Sequence, residues 1–155
     1  MSSELFSDSF DTGFGTGWIV YSAAGLVAVR LPKKGSKQPR STRLKKTGLS
    51  RQLKAYFEGK KIVFDAKIDW SPYSEFEKKA LKRCQRVKYG KTVSYKDLAL
   101  KINNKNAFRA VGNTLNKNRT PVVIPCHRVL RSDGSLGGFA SGTDVKKRLL
   151  GLENI

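Results

Sequence analysis

Two early apolar runs, Trp18-Ile19-Val20-Tyr21 and Leu26-Val27-Ala28-Val29-Arg30-Leu31, are rich in β-branched and aromatic residues and flank Ala23-Ala24-Gly25. That pattern predicts two strands joined by a hairpin turn. Gly13, Gly15 and Gly17 read as a flexible approach to the first strand. They spell GxGxG, but no helix pattern follows directly, so a phosphate loop is not expected. Leu49, Leu53, Tyr56 and Phe57 recur at helical spacing, and Gly59 stands where a helix C′ residue belongs. Residues 62–70 alternate and predict a further strand. Residues 1–70 therefore read as a small α/β domain.

At Ser71-Pro72 the pattern changes to helices. Ser74-Glu75-Phe76-Glu77 matches a capping box, and Phe76, Ala80, Leu81 and Cys84 follow on one face, up to Gly90. Cys84 reads as core. Ser94-Tyr95-Lys96-Asp97 opens a second helix to about Ile102, and residues 103–106 make a polar turn. Residues 107–115 are a third helix. Two short helices joined by a four-residue turn suggest helix-turn-helix, though helix pairs are common in any α domain. Asp133-Gly134 predicts a hairpin turn within Leu130–Leu136, and Gly137–Gly142 a small-residue loop. Thr143 is expected to cap a last helix ending near Gly151. The fold class expected is α+β, with a mainly helical domain at 71–155.

Charge narrows the class of partner. Lys and Arg total 31 against 12 Asp and Glu, a net +19. Such a charge costs folding energy through self-repulsion, so a polyanionic partner is expected, nucleic acid first and an anionic membrane surface second. The stretch 33–46 reads as an exposed basic loop, either simply solvated or facing DNA. No apolar run approaches the ~20 residues that span a bilayer. Met1-Ser2-Ser3-Glu4 does not resemble a signal peptide. Two cysteines do not suggest a disulfide framework, and a reducing, cytoplasmic setting is expected.

The candidate chemistry lies in Pro121-Val122-Val123-Ile124-Pro125-Cys126-His127-Arg128. Prolines fix φ and remove donors, so this strap should be stiff and extended. It sets a thiol beside the only histidine, which suggests a positioned nucleophile and its base. Neighbours on an extended strap point to opposite sides, so a bridging water is the natural relay. A carboxylate best orients the imidazole. Asp133 sits in a turn and Asp144 in a helix's first turn, which leaves Glu153 as the candidate without another evident use. One Cys-His pair with no second cluster lacks the four ligands of a structural zinc site, and no metal is expected. Ala107, Ala110 and Gly112 keep one helix thin. Thinness serves tight helix packing, slightly favoured on these residues alone, or close approach to a minor groove.

Pro125-Cys126-His127-Arg128-Val129, with Gly137-Gly138-Phe139 downstream, strongly resembles the O6-alkylguanine-DNA alkyltransferases, the methylated-DNA–protein-cysteine methyltransferases. The resemblance continues through Tyr89-Gly90, Val93-Ser94-Tyr95, Arg109-Ala110-Val111-Gly112, Asn118 and Glu153, covering about 75–155. It implies a ribonuclease-H-like N-terminal domain, here matching only in general plan. It implies single-turnover transfer of an alkyl group from O6-alkylguanine, less so O4-alkylthymine, in double-stranded DNA to Cys126, without a cofactor. His127 would act as base through a water, held by Glu153. Tyr95 would protonate guanine N3, and Asn118 would tie the recognition helix to the strap. Arg109 would fill the base stack, with Ser94, Tyr95, Ala107, Ala110, Gly112, Asn113 and Arg128 also at the DNA. Leu115, Val129, Gly137, Gly138, Phe139, Ala140 and Ser141 would line the pocket. A monomer is implied, with cooperative binding on DNA left open. Many relatives carry Tyr-Ser where Phe139-Ala140 stand, so two hydroxyls near the guanine are absent. The N-terminal zinc of some relatives has no ligands here before Cys84. Binding without transfer is disfavoured by Cys126 itself. A sequence-specific regulator would not need Cys126-His127, and a cysteine hydrolase would regenerate its thiol.

Overall fold

The computed structural model describes residues 4–155. Most of the signal-peptide expectation, at Met1–Ser3, lies outside them. The chain forms two compact units: the described residues through Asp69 with Arg119–Val123, and Trp70–Asn118 with Ile124–Ile155.

In the first unit β1 (Phe6–Thr12), β2 (Gly15–Ser22), β3 (Gly25–Lys33) and β4 (Arg43–Leu44) form a sheet in the order β3-β2-β1-β4. The first three are antiparallel, and β4 runs parallel to β1. Gly15 and Gly17 are strand residues rather than a flexible approach. Both are needed for close packing. A Cβ on Gly17 would lie 2.2 Å from the Phe10 ring, and one on Gly15 2.4 Å from the Lys33 backbone. Helix α1 (Gly48–Phe57) starts at Thr47, whose hydroxyl accepts from the Ser50 amide, and buries Leu53, Tyr56 and Phe57. Phe57 stacks on Phe10. Burying one such side chain stabilises by roughly 1.5–3 kcal/mol.

The strand expected over 62–70 is absent; only an isolated bridge joins Ile68 to Leu26. The reason is a shared edge. Leu26 pairs with Lys67 and Asp69, but Val29 on the same edge of β3 donates to the Arg119 carbonyl at 2.8 Å. The second segment occupies the ladder the first would need.

In the second unit α2 (Glu75–Cys84) and α3 (Tyr95–Lys101) both begin with complete capping boxes, Ser74 with Glu77 and Ser94 with Asp97. Helix α4 is Phe108–Asn116 and α5 is Thr143–Leu152. Leu81, Cys84, Leu98, Val111 and Leu149 are among the buried core. Strands β5 (Val93–Ser94) and β6 (Val129–Leu130) pair in parallel. Asp133-Gly134 makes a turn, with the Arg131 amide bonded to the Ser135 carbonyl, but no hairpin. Strand β6 pairs with β5 instead. Thr143 is not the cap of α5. Gly142 precedes the helix at φ 102°, a conformation that favours glycine, and no side chain caps there. No helix among the described residues is long and apolar enough to cross a membrane.

Candidate active site

The strap is not extended as expected. Val122 has φ 72°, and Cys126–Arg128 form a single 3-10 turn. Pro125 favours this: its φ of −80° leads into the turn, and its carbonyl accepts from the Arg128 amide at 3.0 Å. With three residues per turn, Cys126, His127 and Arg128 fan out about 120° apart instead of alternating.

Each finds different company. The Cys126 Sγ accepts a hydrogen bond from Asn118 Nδ2 at 3.2 Å, and the same amide donates to the Ile124 carbonyl at 2.9 Å. Asn118 follows α4 and so reaches both the turn and its thiol. Burial pushes the Cys126 thiol up, while the Asn118 hydrogen bond and the Lys146 cation oppose the rise. His127 is fully buried, its Nε2 2.5 Å from Glu153 Oε2. Burial lowers its pKa despite the neighbouring carboxylate, so the ring is neutral at pH 7.

Glu153, just past the end of α5, is the hub. Its Oε1 accepts from Arg128 Nε at 2.8 Å and from the Gly90 amide at 3.0 Å. Arg128 also donates to the Val87 carbonyl at 2.7 Å and lies against the Tyr89 ring. This corrects the expectation that Arg128 meets DNA: it is buried, and its guanidinium neutralises the carboxylate that orients His127.

Lys146 was not singled out from the sequence. It is fully buried on α5, and Nζ donates to Tyr95 Oη at 3.3 Å and to the Val129, Leu136 and Gly138 carbonyls. These oxygens favour the ammonium, but burial prevails and lowers its pKa to about 8. Tyr95, the first residue of α3, is half-buried, and burial raises its phenol pKa. Gly112 and Gly137 both lie against its ring. A Cβ on Gly137, whose φ is 72°, would sit 2.8 Å from the phenol oxygen.

Tyr95 opens onto a cavity of about 660 Å³, walled by Arg109, Gly112 and Asn113 of α4 on one side and by Gly137 and Gly138 on another. Phe108 and Arg131 also line it, though neither was picked out from the sequence. Leu115, Val129, Phe139, Ala140 and Ser141, expected in the pocket, are not in its lining. Leu115 and Val129 are instead buried in the core. Cys126 is 5% exposed and lies outside that lining. Arg109 and Ala110 are exposed on α4, Ala107 is its N-cap, and the Ser94 hydroxyl is occupied in capping α3. Among the described residues no group of three or more His, Cys, Asp and Glu is placed to hold a metal ion.

A buried thiol with a hydrogen-bond donor, beside a neutral imidazole held by a carboxylate, suits nucleophilic displacement. Residues 75–155 match a family model described as 6-O-methylguanine DNA methyltransferase, DNA binding domain. A methylated-DNA–protein-cysteine methyltransferase of Methanosarcina barkeri is 47% identical over 105 residues, covering 67% of this chain and 65% of that protein. The match thus spans just under two thirds of that relative's length. The crystal structure of Mycobacterium tuberculosis O6-methylguanine methyltransferase is similar with a TM-score of 0.81 at 28% identity, over 96% of this chain and 92% of that one. That of M. tuberculosis OGT in complex with DNA gives 0.82 at 28% identity, with the same coverages of 96% and 92%.

Proposed function

The chain belongs to the 6-O-methylguanine DNA methyltransferase family, and from that premise we propose that it repairs O6-alkylguanine in duplex DNA by moving the alkyl group onto Cys126. The observation that carries this is the pair of contacts Asn118–Cys126 and His127–Glu153, made by neighbouring residues of one turn. In the proposed step His127 draws the thiol proton through a water. The Sγ lone pair forms a bond to the alkyl carbon as the carbon–O6 bond breaks, and its electrons pass to the purine. Tyr95 supplies a proton at guanine N3, and Lys146 fixes the phenol that does so. The product is a thioether, whose C–S bond water does not readily cleave, so each molecule acts once.

The lesion lies inside a duplex, so the nucleotide must leave the stack, and poor pairing of an alkylated base lowers that cost. Helices α3 and α4 serve as the helix-turn-helix, α4 approaching the minor groove where its exposed Ala110 keeps it thin. Arg109, exposed and lining the cavity, fills the gap in the stack. The sheet order β3-β2-β1-β4, with β4 parallel to β1, supports a ribonuclease-H-like first unit. We take the protein to act as a monomer in the cytoplasm.

The test is intact-mass analysis after incubation with duplex DNA carrying O6-methylguanine. One methyl group on Cys126, absent in Cys126→Ala, is expected. Tight binding without a mass gain would point to lesion recognition alone, and repeated turnover would remove the single-use mechanism.

A further inference from the structure

From Thr12 to Phe57 the chain carries no carboxylate side chain and ten Lys or Arg. Five of these cations, Arg30, Lys33, Lys34, Lys37 and Arg40, line one concave surface of about 600 Å³ on the first unit. All five are exposed, and no ion pair among the described residues involves any of them. Bringing like charges together without counter-charge is unfavourable, and no part of the proposed transfer step uses them.

The backbone beneath is held in place while the five cationic side chains make no ion pair among the described residues. Gly15 packs directly on the Lys33–Lys34 backbone, and the Ser36 amide bonds to the Lys33 carbonyl at 3.2 Å. Thr42 donates to the Pro39 carbonyl at 2.7 Å, and Gln38 donates to the Thr42 carbonyl at 3.0 Å. A loop fixed in this way loses little entropy on meeting a ligand.

We propose that this cradle is a second polyanion-binding surface, which takes the phosphate backbone of DNA independently of the contacts made by α4. Its lining decides among anionic partners. Besides the cations it offers only Gly35, Ser36 and Gln38, with no aromatic side chain to stack a base and no apolar residue to enter a bilayer. Cations with short polar donors are the groups that bind phosphate oxygens without reading sequence. The inference rests on DNA being the partner of this chain.

The experiment compares the full chain with its Lys33→Gln/Lys34→Gln/Lys37→Gln variant. Affinity for an undamaged duplex is measured across a salt series, and methyl uptake from free O6-methylguanine base is measured alongside. Each lost phosphate contact flattens the slope of log affinity against log salt by about 0.9, so a change of roughly 2–3 is expected, with uptake from the free base unchanged. An unchanged slope would overturn the proposal. So would a loss on phosphatidylserine vesicles in place of the loss on DNA, which would assign the cradle to a membrane. If the triple variant unfolds, Lys37→Gln alone should still flatten the slope by about 0.9, and no change there would equally overturn it. A wild-type chain that binds duplex but takes up no methyl group would overturn the repair reading alone, and the comparison of slopes would still stand.

Discussion

Glu153 holds His127, Arg128 and the Gly90 amide at once, so its charge serves the imidazole and the fold together. Replacing it by Gln keeps the size but leaves the Arg128 guanidinium buried without its counter-charge. Breaking a buried pair in this way costs roughly 3–5 kcal/mol. Glu153→Gln should therefore lower stability in urea by about 3 kcal/mol and slow methyl transfer by about a hundredfold. A stability loss below about 1 kcal/mol would show that the charge is dispensable. His127 sets the acid limit. Burial lowers its pKa from 6.5, so the folded chain resists the proton that the unfolded chain accepts. Stability associated with the neutral ring is present above 6.5 and is lost as pH falls towards the lowered value. Transfer to Cys126 from free O6-methylguanine should stay active below pH 6.5, and an acid limb centred at or above 6.5 would contradict a lowered pKa. The His127–Glu153 contact was within reach of the sequence because the rival acids had turn and helix-start uses. Lys146 is hidden in the sequence as one of three consecutive cations, although it precedes Leu149 and Leu150 by three and four residues and so shares their buried face. Arg128 misleads in the sequence because an arginine in a strongly basic chain suggests phosphate, whereas here the nearer anion is Glu153.

Helices were legible where their ends carry side-chain signals. The capping boxes at Ser74 and Ser94 each satisfy otherwise unpaired first-turn amides, so those starts were plain. Strand β1 was not: in Phe6-Ser7-Asp8-Ser9-Phe10 only the two Phe are apolar, and the strand exists because β2 and β4 pair with it on either side. The sequence suggests an extended strap because proline disfavours helix in the residue before it, but the local 3-10 turn after Pro125 needs only three residues. The loop after β6 works through what it lacks. Gly137 has φ 72° and leaves room for the Tyr95 phenol. Gly137→Ala should therefore displace Tyr95 or the loop, lowering the rate of methyl transfer about tenfold or more while costing only roughly 1 kcal/mol of stability. An unchanged rate would show that the close approach at Gly137 does not position the phenol.

Over the whole molecule, +19 of net charge opposes compactness while favouring a polyanion. Added salt should act in opposite directions on the two. From about 20 to 200 mM sodium chloride the melting temperature should rise as self-repulsion is screened, while duplex affinity falls by several powers of ten. Affinity that does not respond to salt would remove the phosphate-based picture of binding. Charge and its sign were plain from composition; the route of the chain was not, because a short apolar stretch such as Pro121-Val122-Val123 gives no sign of which core it will join. That route has a consequence for modularity. The chain completes most of its first unit by Asp69, yet returns to it for Arg119–Val123, where the Arg119 carbonyl receives the Val29 amide. No single cut yields two whole units. A fragment ending at Asp69 lacks a piece of its own sheet edge, and one starting at Trp70 carries a stretch that belongs to the other core. Recombination or truncation at residue 70 should produce aggregation-prone halves, so the two units should be engineered as one piece.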